Sequence, residues 1–349
     1  MAGSILSKPE WKRRLFNALR ILVSLVLIVS VIRLADGTQI VSALSGANLL
    51  YIALVAVIAN LERLLVAYKW NLLLQVKGIQ LPFVNVVSSF YKSTFLGMLF
   101  LPTVGADAMR IVEISQQTRR SHDIISSVVV ERFLGLLAVA FVGIVGLLLF
   151  TFYIGQRRWG ILINLTALFL ITGALLIASL KANWLIRLGK RLPYGRWKIY
   201  TRLEQVMVSY QEYARYRWTL LAFFSLSVLD QFSPIINSFS VSRAFNLDVP
   251  CLYFFIFVPI IMLVIRLPIS FDGFGVREGL YVYLFGLVGV SQPNAFLIGF
   301  ITSLVFRFAV TPLTLYFFLV KREAPQSEAT VAETLPAGEA EGGSLILEE

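Results

Sequence analysis

Long apolar runs alternate with short charged stretches along this chain. Five runs, at residues 48–68, 123–152, 160–180, 218–244 and 294–320, reach the roughly 20 residues that carry a helix across a bilayer. A shorter run at 21–32 follows the basic stretch Lys8–Arg20 with no small-x-small cleavage site after it. It predicts an uncleaved first span with a cytoplasmic N-terminus. The remaining apolar runs are interrupted. Residues 82–101 run into Leu-Pro-Thr-Val-Gly-Ala-Asp-Ala-Met-Arg (101–110). Residues 251–265 and 279–290 are separated by Arg-Leu-Pro-Ile-Ser-Phe-Asp-Gly-Phe-Gly-Val-Arg-Glu-Gly (266–279). Prolines, glycines and charges in such places break a helix. At membrane depth they survive only beside protein or a water-filled cavity.

Basic residues orient the spans, because cytoplasmic loops concentrate Lys and Arg. Lys69 and Lys77, Arg119 and Arg120, the nine Lys/Arg against two Glu of 181–217, and Lys321-Arg322 all mark one side. An even number of crossings must separate each marker from the next. The segment 82–118 then enters and leaves by the cytoplasmic face, and the segment around 266–279 enters and leaves by the other. Span, span, hairpin, span is thus written twice with opposite starts. The expected fold class is an all-α integral membrane protein of about six full spans plus two re-entrant broken-helix hairpins, arranged as an inverted-topology repeat. Leu101-Pro102 before Arg110 and Leu267-Pro268 before Arg277 echo one another.

Composition narrows the function. The chain is 58% hydrophobic and 15% charged, far from the quarter charged of a soluble domain. Its net charge of +11 comes from loop lysines and arginines, so no nucleic-acid partner is expected. One Cys and one His leave no metal cluster and no Cys/His nucleophile pair. No phosphate loop is present, and no cofactor is expected. Residues 1–322 form the membrane domain. Within it, 181–217 is a basic cytoplasmic linker in which Leu203, Val206, Met207, Tyr210 and Tyr213 repeat at helical spacing. That helix either lies amphipathically on anionic lipid or is an ordinary linker. Residues 323–349, with seven acidic residues and no basic ones, read as a disordered tail.

The candidate site residues are charges within or beside apolar runs: Asp107, Arg110, Glu131, Arg132, Asp272, Arg277, Glu278 and Arg307. Glu131 and Arg132 project roughly 100° apart on one helix, so each is expected to pair with another element. These charges either lock hairpin to span as ion pairs or present guanidinium groups to an anionic headgroup. Helix N-termini opening after Gly105 and Gly275 would add backbone donors. Arg63, beside Glu62 toward the inner interface, is expected to snorkel. Asp230 and Arg243 rank lower. Scattered Phe and Trp read as lipid-facing or interfacial anchors.

Asn60–Trp70, Leu101–Arg110, Glu131-Arg132-Phe-Leu-Gly135 and Leu267–Gly279 together resemble the flippase-like membrane region of lysylphosphatidylglycerol synthases, over most of residues 10–322. The resemblance implies movement of a polar lipid between leaflets. Two departures stand out. No aminoacyl-transferase stretch follows residue 322, so lipid lysylation is not expected. Val-Gly-Ala-Asp (104–107) replaces a Gly-Gly-Asp pattern, which weakens the case for backbone donation there. The expected function is therefore a lipid flippase of the plasma (inner) membrane and not an enzyme, with both termini cytoplasmic and membrane lipids as partners. A homo-oligomer is compatible with it. The alternatives are a membrane-embedded headgroup transferase and a non-transporting scaffold.

Overall fold

A computed structural model describes residues 46–99, 102–154, 159–181, 198–266 and 273–319. The expected first span at 21–32, the tail at 323–349, residues 182–197 of the linker and Asp272 lie outside these residues. The described residues form eleven α-helices and one short 3-10 turn, with no strand. They are α1 (Leu49–Val76), α2 (Phe83–Leu99), α3 (Pro102–Thr118), α4 (Ser121–Ile154), α5 (Trp159–Lys181), α6 (Lys198–Glu212), α7 (Arg217–Asp230), α8 (Phe232–Ala244), α9 (Cys251–Val264), α10 (Val276–Gly286) and α11 (Gln292–Leu319). Four stretches are long and apolar enough to cross a membrane: α1, most of α4, the α7–α8 rod and α11. α9 is a shorter apolar helix.

Local signals explain the boundaries. Asn48 caps α1 through Oδ1, which accepts the Leu50 N–H at 3.0 Å. Gly78, at φ 68°, closes the helix. The Gly78 N–H reaches Gln75 O and the Ile79 N–H reaches Leu74 O, the glycine-terminated pattern that satisfies last-turn carbonyls. α1 is thus 28 residues long, about 42 Å at 1.5 Å per residue. This revises two expectations. Lys69 lies inside the helix and is buried, not in a loop. Glu62 and Arg63 sit at the helix midpoint rather than near an interface. Pro102 opens α3, where its missing N–H and fixed φ suit a first turn. Gly105 consequently lies within α3 and opens no helix.

α4 is the central element. It packs on α3, α5, α6, α7 and α9, and α1 also touches it. α2 and α3 fold back on each other, with Lys92 Nζ 3.0 Å from Glu113 Oε1. The first limb of each interrupted pair rests on the last long helix of the other half: α2 on α11, and α9 on α4. α1 packs on α7 and α8 between them. One apolar core gathers Trp70, Leu73, Ile114, Ile124 and Phe223. A second gathers Phe254, Phe257, Tyr281 and Phe285 around α9 and α10. Outward positions such as Leu54, Val57 and Leu61 on α1 and Leu170, Ile171 and Leu175 on α5 are exposed, as lipid-facing side chains would be.

The linker helix α6 does not present its stripe to lipid. Tyr210 is buried, as is Tyr213 just beyond the helix, and α6 packs on α4 and α5. The Tyr213 hydroxyl donates to Leu73 O at 3.0 Å. Its burial, with Asp123 and Glu212 nearby, pushes the hydroxyl pKa up. Lys77 reaches Glu212 Oε2 at 2.7 Å and also bonds Ser209 O, while Ser209 Oγ donates to Asp123 Oδ1 at 2.5 Å. Arg120 joins the same end through Lys77 O and Asp123. The expected inner-surface charges therefore tie α6 to the ends of α1, α3 and α4.

Gly146 marks the closest approach of α4 to α9. A Cβ there would collide with Phe255 O and stand 3.1 Å from the Ile256 Cα. Gly279 has nothing within 4 Å of the same position. Thermal unfolding in mild detergent should show Gly146→Ala losing about 1–3 kcal/mol, the usual penalty of overpacking. Gly279→Ala should be neutral or stabilising, since Ala favours helix by about 1 kcal/mol.

Candidate functional site: charged residues inside the bundle

Three groups of charged side chains lie among the apolar helices. The first joins α3 to α4. Arg110 is buried. It donates to Asp107 Oδ1 at 2.9 Å and to Glu131 Oε1 at 3.2 Å. Its guanidinium also lies over two rings, 4.5 Å from the Trp70 centroid and 4.3 Å from that of Phe90. Asp107 accepts from Arg132 Nε at 2.8 Å as well. Asp107 and Arg110 share a face of α3 because they are three residues apart. Glu131 and Arg132 diverge on α4, as adjacent helical residues do. One meets Arg110 and the other Asp107, so each pairs with another element.

The second group joins α1 to α2, α7 and α11. Arg63 pairs with its neighbour Glu62 and sits 5.1 Å from the Phe306 centroid. It is held at mid-helix and does not snorkel. Lys69 Nζ is 2.9 Å from Asp230 Oδ2. Asp230 ends α7, at the midpoint of the α7–α8 rod. Its rank below the other candidates understates a residue that ties two long helices together. Arg243, by contrast, pairs with the exposed Asp248 beyond the end of α8.

The third group surrounds the interrupted stretch after α9. Gly273 and Gly275 adopt φ 74° and 79°, which L side chains rarely enter. Gly275 precedes α10, so a helix does open there, as expected. The donor it exposes is taken, however. Glu278 is fully buried, and its Oε2 accepts the Gly275 N–H at 2.6 Å. Arg277 donates to Ser303 Oγ, and Arg307 Nη1 donates to Ser303 O at 2.9 Å. The Arg307 guanidinium stacks 4.2 Å from the Phe274 centroid. These contacts pin the start of α10 to α11.

Arg266 connects the groups, although its place in the interrupted stretch did not make it a site candidate. It follows α9 and is exposed. Its Nη1 lies 3.6 Å from where a Cβ on Gly135 would stand, one turn along α4 from Glu131 and Arg132. The charges of Arg132, Asp230 and Glu131 all act on it. Among the described residues it makes no hydrogen bond or ion pair. The glycine at 135 is the sequence signal for this approach, legible only with the partner known. Arg266 is thus an exposed cation with a second guanidinium, that of Arg132, acting on it, alongside carboxylates of two other helices that other residues already hold. That arrangement suits an anion entering from solvent or from a lipid headgroup layer.

Comparison with known families matches residues 17–314 to the family described as the lysylphosphatidylglycerol synthase TM region. No curated protein matches the chain.

Removing Arg110 leaves Asp107 and Glu131 facing each other in the interior. Arg110→Met should cost about 3–5 kcal/mol, as for other broken buried pairs, read as a lowered unfolding transition in detergent. Adding Glu131→Gln to Arg110→Met should restore part of that loss.

Proposed function

Because the chain belongs to the lysylphosphatidylglycerol synthase TM-region family, we propose that it carries a polar or anionic lipid between the two leaflets of the membrane. The observation that carries this reading is Arg266, an accessible guanidinium at the broken segment. α9 and α10, at 14 and 11 residues, reach about 21 and 16 Å, half the depth of a bilayer. Arg266, just past the end of α9, and Gly275, at the start of α10, then lie near the midplane. A phosphate-bearing headgroup would sit there against Arg266, with Arg132, Arg277 and Arg307 around it and its acyl chains left in lipid. Asp107, Arg110, Glu131 and Glu278 would hold the surrounding walls, and Asp272 belongs to the same segment. Arg132 is the most exposed of the paired arginines, with side-chain exposure of 47%, and is the second residue assigned to the headgroup.

The reciprocal packing of α2 on α11 and α9 on α4 supports an inverted repeat with two re-entrant hairpins. Such repeats place substrate at the midplane, between broken helices. The end bearing Lys77, Arg119, Arg120 and α6 is read as cytoplasmic, in the plasma (inner) membrane. We read the chain as a carrier and not as a transferase.

Reconstitution tests this. Liposomes containing the full chain and a headgroup-intact, tail-labelled fluorescent phosphatidylglycerol should lose outer-leaflet label asymmetry faster than empty liposomes. Arg266→Ala should lower that rate about tenfold or more, the effect of losing a charge-assisted contact worth 1.5–3 kcal/mol. Arg243→Ala, at the rim, should not. Equal rates with and without protein would overturn the reading for this lipid class.

A further inference from the structure

The α7–α8 rod carries a polar stripe that the headgroup site does not use. Ser227, Asp230, Ser233 and Asn237 follow one another at intervals of three, three and four residues, within about a third of the helix circumference. Ser227, Ser233 and Asn237 are at least nine-tenths buried, at 1%, 9% and 3% exposure. Ser227 Oγ, Asp230 Oδ1, Ser233 Oγ and Asn237 Oδ1 are all enclosed and lack a hydrogen-bond partner among the described residues. The stripe extends about 15 Å along the rod. At its middle the hydrogen-bond ladder tightens at Gln231, whose N–H turns to Val228 O while its φ and ψ stay helical. Pro234 supplies no N–H to the Asp230 carbonyl four residues earlier, which adds one more acceptor. Buried polar groups need partners, and where the protein provides none, water does.

We propose that Asp230, paired with Lys69, is a proton-binding site at the membrane midplane, reached by water along the Ser227–Asn237 stripe. The binding event is the formation of one O–H bond on the Asp230 carboxylate. The proton arrives through the water chain, the ion pair with Lys69 is lost, and the site gains one positive charge. The ion is a proton because the surroundings repel a metal cation. Lys69 Nζ already occupies Oδ2 at 2.9 Å, and the charge of Asp230 is also felt by Arg63 and Arg266. The other charged groups acting in this region are Glu62 on α1 and, through Arg266, Glu131 and Arg132 on α4. Arg277 and Glu278 on α10 act on Tyr281, which bonds Ser238, the residue after Asn237 on α8. The site rests on the lipid-carrier reading only for what the proton drives.

Infrared difference titration of the full chain in phosphatidylcholine liposomes tests the site without any transported lipid. Acidification should raise a protonated-carboxyl band that shifts in D2O. Asp230→Asn should remove that band, and Asp230→Glu should restore it at a displaced frequency. Ser233→Ala combined with Asn237→Leu should dry the stripe and slow the D2O shift while the band remains. A titrating band unchanged by Asp230→Asn, or an equally fast shift in the dried variant, would overturn the proposal. In a second arm, an imposed pH gradient should accelerate movement of fluorescent phosphatidylglycerol by the parent and leave Asp230→Asn unaffected. Lipid movement without the Asp230 band sinks the proton site alone. The band without lipid movement sinks the carrier reading and leaves the site standing.

Discussion

A charge at membrane depth is costly unless a partner or water meets it, and the helices of this chain are placed so that partners are met. Arg110 shows the rule most fully. Its guanidinium has two carboxylates in its plane, from α3 and α4, and an aromatic ring from α1 and another from α2 beside it. Four helices are fixed by one side chain. Lys69 does the same for α1 and α7, and Ser303 receives both Arg277 and Arg307. Apolar packing alone gives weak orientation between helices in lipid, because lipid tails are as apolar as Leu. Polar contacts set which face of each helix turns inward.

That rule separates two kinds of charge. Arg110 and Lys69 are buried with their donors met, Glu278 is buried with one oxygen bonded to the Gly275 N–H, and the first role of all three is to hold elements together. Glu278 is instructive. A buried carboxylate beside a helix N-terminus invites a substrate role, yet one oxygen occupies the N-terminal donor of its own helix. Arg266 is the other kind. It is accessible, it abuts a glycine on a neighbouring helix, and the charges acting on it are that of Arg132 and those of two carboxylates already held by Lys69 and Arg110. A site for an anion needs such a cation, one not already neutralised.

Much of this was legible in the sequence. Hydropathy located the long helices. Charge inside apolar runs picked out Asp107, Arg110, Glu131 and Arg132, and helix geometry required Glu131 and Arg132 to find separate partners. Distances along the chain could not show where a helix ends when its end is apolar. α1 continues through Lys69 because the stop signal is Gly78, and a lysine can be buried when an aspartate 161 residues away meets it. Pro102 reads in the sequence as a breaker ahead of Gly105, but proline suits the first turn of a helix. The stripe of α6 was legible as amphipathic. Whether lipid or protein covers such a stripe depends on tertiary neighbours, here α4 and α5.

The two proposed sites are not independent. Arg266 and Asp230 act on each other electrostatically. While Arg266 is unoccupied, its positive charge faces the negative charge of Asp230. An anionic headgroup bound at Arg266 would offset that positive charge, so the proton proposed at Asp230 would meet less repulsion. Linkage is reciprocal, so a proton on Asp230 removes a negative charge from beside Arg266 and tightens the headgroup. Couplings of this kind run to about 1–3 kcal/mol, enough to change occupancy five-fold or more without any large rearrangement. The sign matters for mechanism. Proton and anionic headgroup would be taken up together and released together, and the two together would leave the net charge of the site unchanged, where either alone would change it by one. A cationic headgroup at the same place would have the opposite coupling and expel the proton, so the direction of the pH effect on lipid binding identifies the charge of the natural cargo.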